Sequence, residues 1–137
     1  MSETRIDGDN CFVCGKENPL GMKLGFRLED DVCRSEFTPG DDHCGFDGVT
    51  HGGIMFSALD DVMANWIFLK NIRAYTAKCE IRYKGTLPTG TPVVLEGHCV
   101  KNRGRLIVMR GQMIRVDTGE IVAETQASFM VEERKDQ

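Results

Sequence analysis

The sequence predicts an α+β fold in which an antiparallel sheet of about six strands wraps around one long central helix. Three observations predict it. The stretch IMFSALDDVMANWIFL is helical in period and apolar over more than half its circumference, so it must be buried on most sides. Two short strand-like runs precede it and four longer ones follow, each bounded by the Gly, Pro and Asp that turns require. The chain has 137 residues, 41% hydrophobic and 28% charged, which suits one core and is too short for two.

The elements follow in chain order. A polar lead-in, residues 1–20, opens a single expected domain spanning 1–137 and contains Cys11-x-x-Cys14-Gly15. Residues 22–37 read as two strands, MKLGFRL and VCRSEF, separated by Glu29, Asp30 and Asp31, which suit a hairpin turn. Pro39 and Gly40 stop the second strand, and residues 38–50 carry three glycines and three aspartates without periodicity, as a functional loop often does. The helix is expected over 53–69. Strands are expected over 75–84, 91–101, 105–116 and 120–131, a meander broken by LPTGTP, KNRGR and VDTGE. A sheet that curls over a largely apolar helix and buries it on its concave face is a hotdog architecture. Disorder is expected only at the chain ends.

Composition narrows the function classes. A net charge of −4 at pH 7, without a basic run, gives no general attraction for phosphate backbones, so no nucleic-acid partner is expected. No apolar stretch approaches the ~18 residues that cross a bilayer, and MSETRIDGDNCF lacks the positive start and apolar run of a secretory signal. The expected location is the cytoplasm, away from membranes, where the six cysteines stay reduced.

The helix carries the candidate chemistry. At about 100° per residue, Met55, Phe56, Ala58, Leu59, Val62, Met63, Trp66, Ile67 and Leu69 share one arc, and Asp60 lies just past its edge. Gly53 and Ala64 flank Asp60 and leave a groove beside the carboxylate. Asp61 projects about 100° further round, beside Asn65 and Ser57, towards solvent or another subunit. His51, Gly52 and Gly53 stand at the helix start, where backbone N–H groups lack intrahelical partners and can hold a developing oxyanion. Asp60 is about 12 Å of helical rise from Gly52, so the two converge on one carbonyl only if they come from different subunits. Phe46, Phe56 and Trp66 are candidates for an apolar slot, although aromatic residues beside a buried helix are more often core than pocket. His98 falls in a strand, where a histidine usually serves structure.

HGGIMFSALDD, following FDG, resembles the signature of hotdog acyl-CoA thioesterases of the phenylacetic-acid-degradation type, in which an acidic residue stands nine positions after the His. CFVCGKENPLGMKL resembles the amino-terminal CxxCG and NPxG segment of one branch of that family, and YTAKCEIRYKGTLPTG its strand and turn after the helix. The resemblance implies thioester hydrolysis. Gly52 would polarise the thioester carbonyl through its N–H, Asp60 would attack the carbonyl or activate a water, His51 would shape the pocket, and Thr76 would orient the water. Several relatives have Asn six residues before the His, where this chain has Gly45.

The implied partner is an acyl-CoA, with Gly53, Phe56 and Asp61 lining its site and Arg103 and Arg105 of the KNRGR turn facing its phosphates. The shared site implies a homodimer or a tetramer built from two dimers. No cofactor is expected, coenzyme A being part of the substrate, and no catalytic metal. Cys11 and Cys14 form half of a structural zinc site that His43 and Cys44 would complete, but one CxxC alone reads more simply as a packed segment. Two rivals remain: a hotdog module that binds acyl-CoA without reaction, and a hotdog enoyl-CoA hydratase or dehydratase.

Overall fold

The computed structural model describes residues 8–136. The first seven residues, and with them part of the amino-terminal segment and of the signal-sequence and disordered-end readings, lie outside the described residues, as does residue 137. The chain forms β1 (Arg27–Glu29), β2 (Val32–Phe37), a short 3-10 turn at Asp41–His43, α1 (Gly52–Leu69), β3 (Ile72–Tyr83), β4 (Val93–Arg103), β5 (Leu106–Arg115) and β6 (Ile121–Arg134). All strand pairs are antiparallel and form one six-stranded sheet in the order β1-β2-β4-β5-β6-β3. The hotdog expectation stands. No helix among the described residues is long and apolar enough to cross a membrane.

Two local expectations need correction. The first strand begins at Arg27, not at Met22: Lys23 has φ +56, which interrupts an extended run, and the Met22 and Leu24 N–H groups donate to the Phe12 and Val13 carbonyls instead of to a strand. The four strands after the helix are not one meander. β4, β5 and β6 are, but β3 lies beyond β6 at the sheet edge, and β4 pairs with β2 on its other side.

Side-chain chemistry explains the turns. Asp30 and Asp31 sit at φ +51 and +66 in a two-residue hairpin loop, a conformation that matches strand twist and that short polar side chains tolerate. Asn71, at φ +64, follows the helix C-cap Lys70 and turns the chain into β3.

The helix presses its apolar arc on the sheet. Leu59, Val62, Met63, Trp66 and Ile67 are buried with Leu95, Ile107, Met109, Met113 and Phe129. Gly97 of β4 and Gly111 of β5 are register partners beneath it. A Cβ at Gly97 would come 2.5 Å from the Val62 carbonyl oxygen, and one at Gly111 would come 3.3 Å from Met63 Cγ, so the paired glycines set how closely the helix seats.

Candidate active site

The helix start is built by His51. It is the N-cap, and its Nδ1 accepts from the Gly53 N–H at 2.8 Å, while its carbonyl accepts from Ile54 and Met55. Gly53 is thereby spent on the cap, and a Cβ on it would meet the His51 ring at 3.0 Å. The Gly52 N–H is different: among the described residues nothing accepts from it. Its carbonyl is held by the Tyr83 hydroxyl, which donates at 2.7 Å across from β3. The positive end of an 18-residue helix therefore presents one peptide N–H, in a peptide plane held by the His51 carbonyl that accepts from Ile54 and Met55, while Tyr83 holds the next peptide.

That N–H borders a cleft of about 450 Å³, lined on one side by Phe46, Val49 and Met55 and on the other by Tyr83, Gly85 and Thr86. Phe46 is 84% exposed on its rim. Gly45 borders the same cleft beside His51, where a Cβ would lie 3.5 Å from the His51 Cα and 3.6 Å from its ring. A depression of similar volume lies on the outer face of the sheet, among Glu80, Arg82, Arg110 and Glu124, far from the helix start.

Asp60 lies half-buried on the side of α1 that faces β3. Thr76 Oγ1 donates to Asp60 Oδ1 at 2.8 Å, which leaves Oδ2 for other work. Burial raises the Asp60 carboxyl above its ordinary value, against the smaller lowering effect of the Thr76 bond. Next along the strand is Cys79, whose thiol is pushed up to about 11 by burial, then by Asp60 and Glu80. A groove of about 230 Å³, which Asp60 itself does not line, runs between Ala64 and Phe68 of the helix and Ala74 and Tyr75 of β3.

The structure thus brings Thr76 to Asp60 and Tyr83 to Gly52, but keeps the two pairs apart along one helix. Arg103 and Arg105 are exposed at the β4–β5 tip. That tip lies at the opposite end of the helix from Gly52: Arg134, whose guanidinium donates to the Gly104 carbonyl, pairs with Ile72 just after the helix ends. Phe56 is partly buried beside the arc. Of the two readings of Trp66, slot or core, the structure has the core: it is only 3% exposed and donates its indole N–H to the Asp31 carbonyl, so it locks the β1–β2 hairpin to the helix.

Asp61 is a correction, because it does not face solvent. It is 8% exposed, its Oδ2 accepts from Asn65 at 3.1 Å, and Cys11 Sγ lies 3.9 Å away. The amino-terminal segment covers it. His43 and Cys44 do not join that group: His43 Nδ1 accepts from the Gly40 N–H, and Cys44 bridges to Thr50 beside the helix start.

Sequence reasoning missed Tyr83 and Cys79, for a geometric reason. A β-bulge between Thr76 and Lys78 inserts one unpaired residue, so the inward face runs through Ile72, Ala74 and Thr76 and then switches to Cys79 and Ile81. Strict alternation from Thr76 would have turned Cys79 and Tyr83 outward.

Residues 47–122 match the model of the Thioesterase superfamily. No curated protein matches the chain. Among solved structures, a thioesterase superfamily protein superposes with a TM-score of 0.82 at 26% identity, over 95% of this chain and 71% of that one. A hypothetical thioesterase from Streptococcus pneumoniae TIGR4, crystallised with coenzyme A, gives 0.76 at 16% identity over 81% and 90% of the two chains. The E. coli PaaI protein from the phenylacetic acid degradation operon gives 0.76 at 13% identity over 82% of each. The last two similarities establish a shared fold.

Proposed function

The chain belongs to the thioesterase superfamily, and from that premise we propose that it is an acyl-CoA thioesterase of the phenylacetic-acid-degradation type, cleaving its substrate to a free acid and CoA. The observation that carries this reading is Asp60, a half-buried carboxylate on the central helix with one oxygen tied by Thr76 and the other unassigned. The solved structure with bound coenzyme A has the same fold, which supports a CoA ester as the ligand.

The chemistry follows from where charge develops. The thioester carbonyl oxygen accepts from the free Gly52 N–H at the helix start of one subunit. Asp60 of a facing subunit takes a proton from water, which adds to the carbonyl carbon, or adds directly through Oδ2. The tetrahedral oxyanion collapses, the C–S bond breaks, and the CoA thiolate leaves; on the water route it takes the proton held by Asp60, and on the direct route water then hydrolyses the acyl–Asp60 anhydride to the free acid and restores the carboxylate. The minimal assembly is a homodimer, with a pair of dimers as the larger form, working in the cytoplasm.

His51 supports hydrolysis over hydration. With Nδ1 accepting from Gly53, the neutral ring carries its proton on Nε2 and has no free basic nitrogen for a hydratase. A screen of short, medium, long and aromatic acyl-CoAs, read by thiol release, tests the proposal. At least one class is turned over, and Asp60→Asn cuts that turnover by roughly 10²-fold or more. Equal turnover by the variant removes Asp60 from the chemistry. Tight binding without CoA release makes the protein a binding module, and hydration of an enoyl-CoA makes it a hydratase.

A further inference from the structure

About 100° round the helix from Asp60, where Asp61 projects, the amino-terminal segment forms a compact knuckle. The Gly15 N–H donates to the Cys11 carbonyl at 2.9 Å, and the Cys14 N–H points at Cys11 Sγ at 3.5 Å. Only glycine fits at position 15, where a Cβ would lie 2.4 Å from the Cys11 nitrogen and 2.5 Å from the Asp9 carbonyl oxygen. The knuckle is braced from below. Met22 and Leu24 donate to the Phe12 and Val13 carbonyls, and Asn18 and Gly21 close the turn between the two strips, with the Asn18 side chain accepting from the Leu20 N–H. The CxxCG and NPLG motifs therefore build one object, whose purpose is to hold two cysteines in place.

What those cysteines face is Asp61. The Cys11 and Cys14 sulfurs and an Asp61 carboxylate oxygen all lie within 4.8 Å of one another. Tetrahedral ligation with sulfur at about 2.3 Å and oxygen at about 2.0–2.2 Å places ligand atoms about 3.5–3.8 Å apart, so small side-chain rotations close the set on an ion. The measured Cys11 Sγ to Asp61 Oδ2 separation, 3.9 Å, is already near that value. Asn65, one turn along the helix, donates to both the Asp61 carbonyl and its Oδ2, fixing the carboxylate as outer partners of metal ligands do. A buried carboxylate facing two thiols is a soft, anionic donor set, matched to a thiophilic cation.

We propose that Cys11, Cys14 and Asp61 form a binding site for a thiophilic divalent cation, zinc above all, which clamps the amino-terminal segment to the middle of α1. The fourth position is open to water or a small anion. Binding exchanges the two thiol protons for the ion and so strengthens as pH rises. The site is independent of the hydrolytic reading, because its ligands gather about 100° round α1 from Asp60.

The test uses the full chain, reduced, stripped with a chelator and freed of it. Titration with Co²⁺ is expected to give a thiolate charge-transfer absorption that saturates at one equivalent per chain and is bleached by Zn²⁺. Cys14→Ser is expected to lose that absorption, and Asn65→Ala to keep it with affinity weakened about 10–100-fold. Absence of saturable binding by the reduced protein overturns the proposal, as does Cys14→Ser binding with wild-type stoichiometry and affinity. Should Cys14→Ser fail to fold, Asp61→Asn and Asn65→Ala carry the test: affinity equal to wild type in both, with far-UV circular dichroism unchanged, also overturns it.

Discussion

At Asp60 two effects oppose each other: burial favours the protonated carboxyl, and the Thr76 hydroxyl favours the carboxylate. In the proposed reaction Asp60 acts ionised, so the acid limb of a kcat/KM profile is expected to follow this group. Replacing Thr76 with Val removes the lowering influence, and the acid limb is expected to move to higher pH, with Ser at the same position restoring it. An unmoved limb in the Val variant separates Thr76 from the chemistry. Stability responds to the same group. Because the folded-state value is raised above the ordinary 3.8, the folded chain holds the proton more tightly than the unfolded one, so this contribution is complete below 3.8 and is lost as pH rises through the folded value. Asp60→Asn therefore melts higher than wild type at neutral pH, and the difference vanishes in acid. A variant melting lower at neutral pH contradicts that burial. Asp61, its neighbour in sequence, shows what a helical projection leaves out: the angle from the apolar arc was legible, but the amino-terminal segment that buries Asp61 comes from fifty residues away.

At the scale of the element, the helix sits where it does because its bed is made of glycine. Gly97→Ala would place a methyl group 2.5 Å from the Val62 carbonyl oxygen, which only a backbone shift relieves. Urea unfolding is expected to show a loss of about 1–3 kcal/mol, as overpacked cores do. An unchanged midpoint means the seat is loose. The helix and strands were legible from periodicity, since period 3.6 and period 2 leave different marks in the sequence. Two features were not. The place of β3 beside β6 depends on long-range pairing that no local pattern encodes, and the bulge after Thr76 reverses which side chains of β3 face the helix. Tyr83, whose hydroxyl donates to the Gly52 carbonyl, was hidden by that reversal.

Across the whole molecule, β3 is a twelve-residue edge strand whose Tyr75 and Tyr83 stay exposed, and an unpaired edge of that length favours addition of a second copy. In the proposed dimer the Gly52 N–H of one chain and the Asp60 carboxylate of the other would share one site. Light scattering at micromolar concentration is expected to give a dimer or tetramer, and a monomer excludes a shared site. The decisive measurement mixes two variants. Gly52→Pro deletes the donor N–H at the first helical position, where the backbone suits proline and His51, at φ −63 and ψ 132, is already shaped to precede it, and where the added Cβ, 3.3 Å from the Tyr83 hydroxyl, requires that ring to give by a few tenths of an ångström. Asp60→Asn deletes the acid. Each alone is expected to be nearly inactive. Co-assembled at random, half the dimers are mixed and each mixed dimer has one intact site of two, so acyl-CoA hydrolysis should return to about a quarter of the wild-type rate. Activity no greater than the sum of the separate variants would show that Gly52 and Asp60 do not meet across subunits.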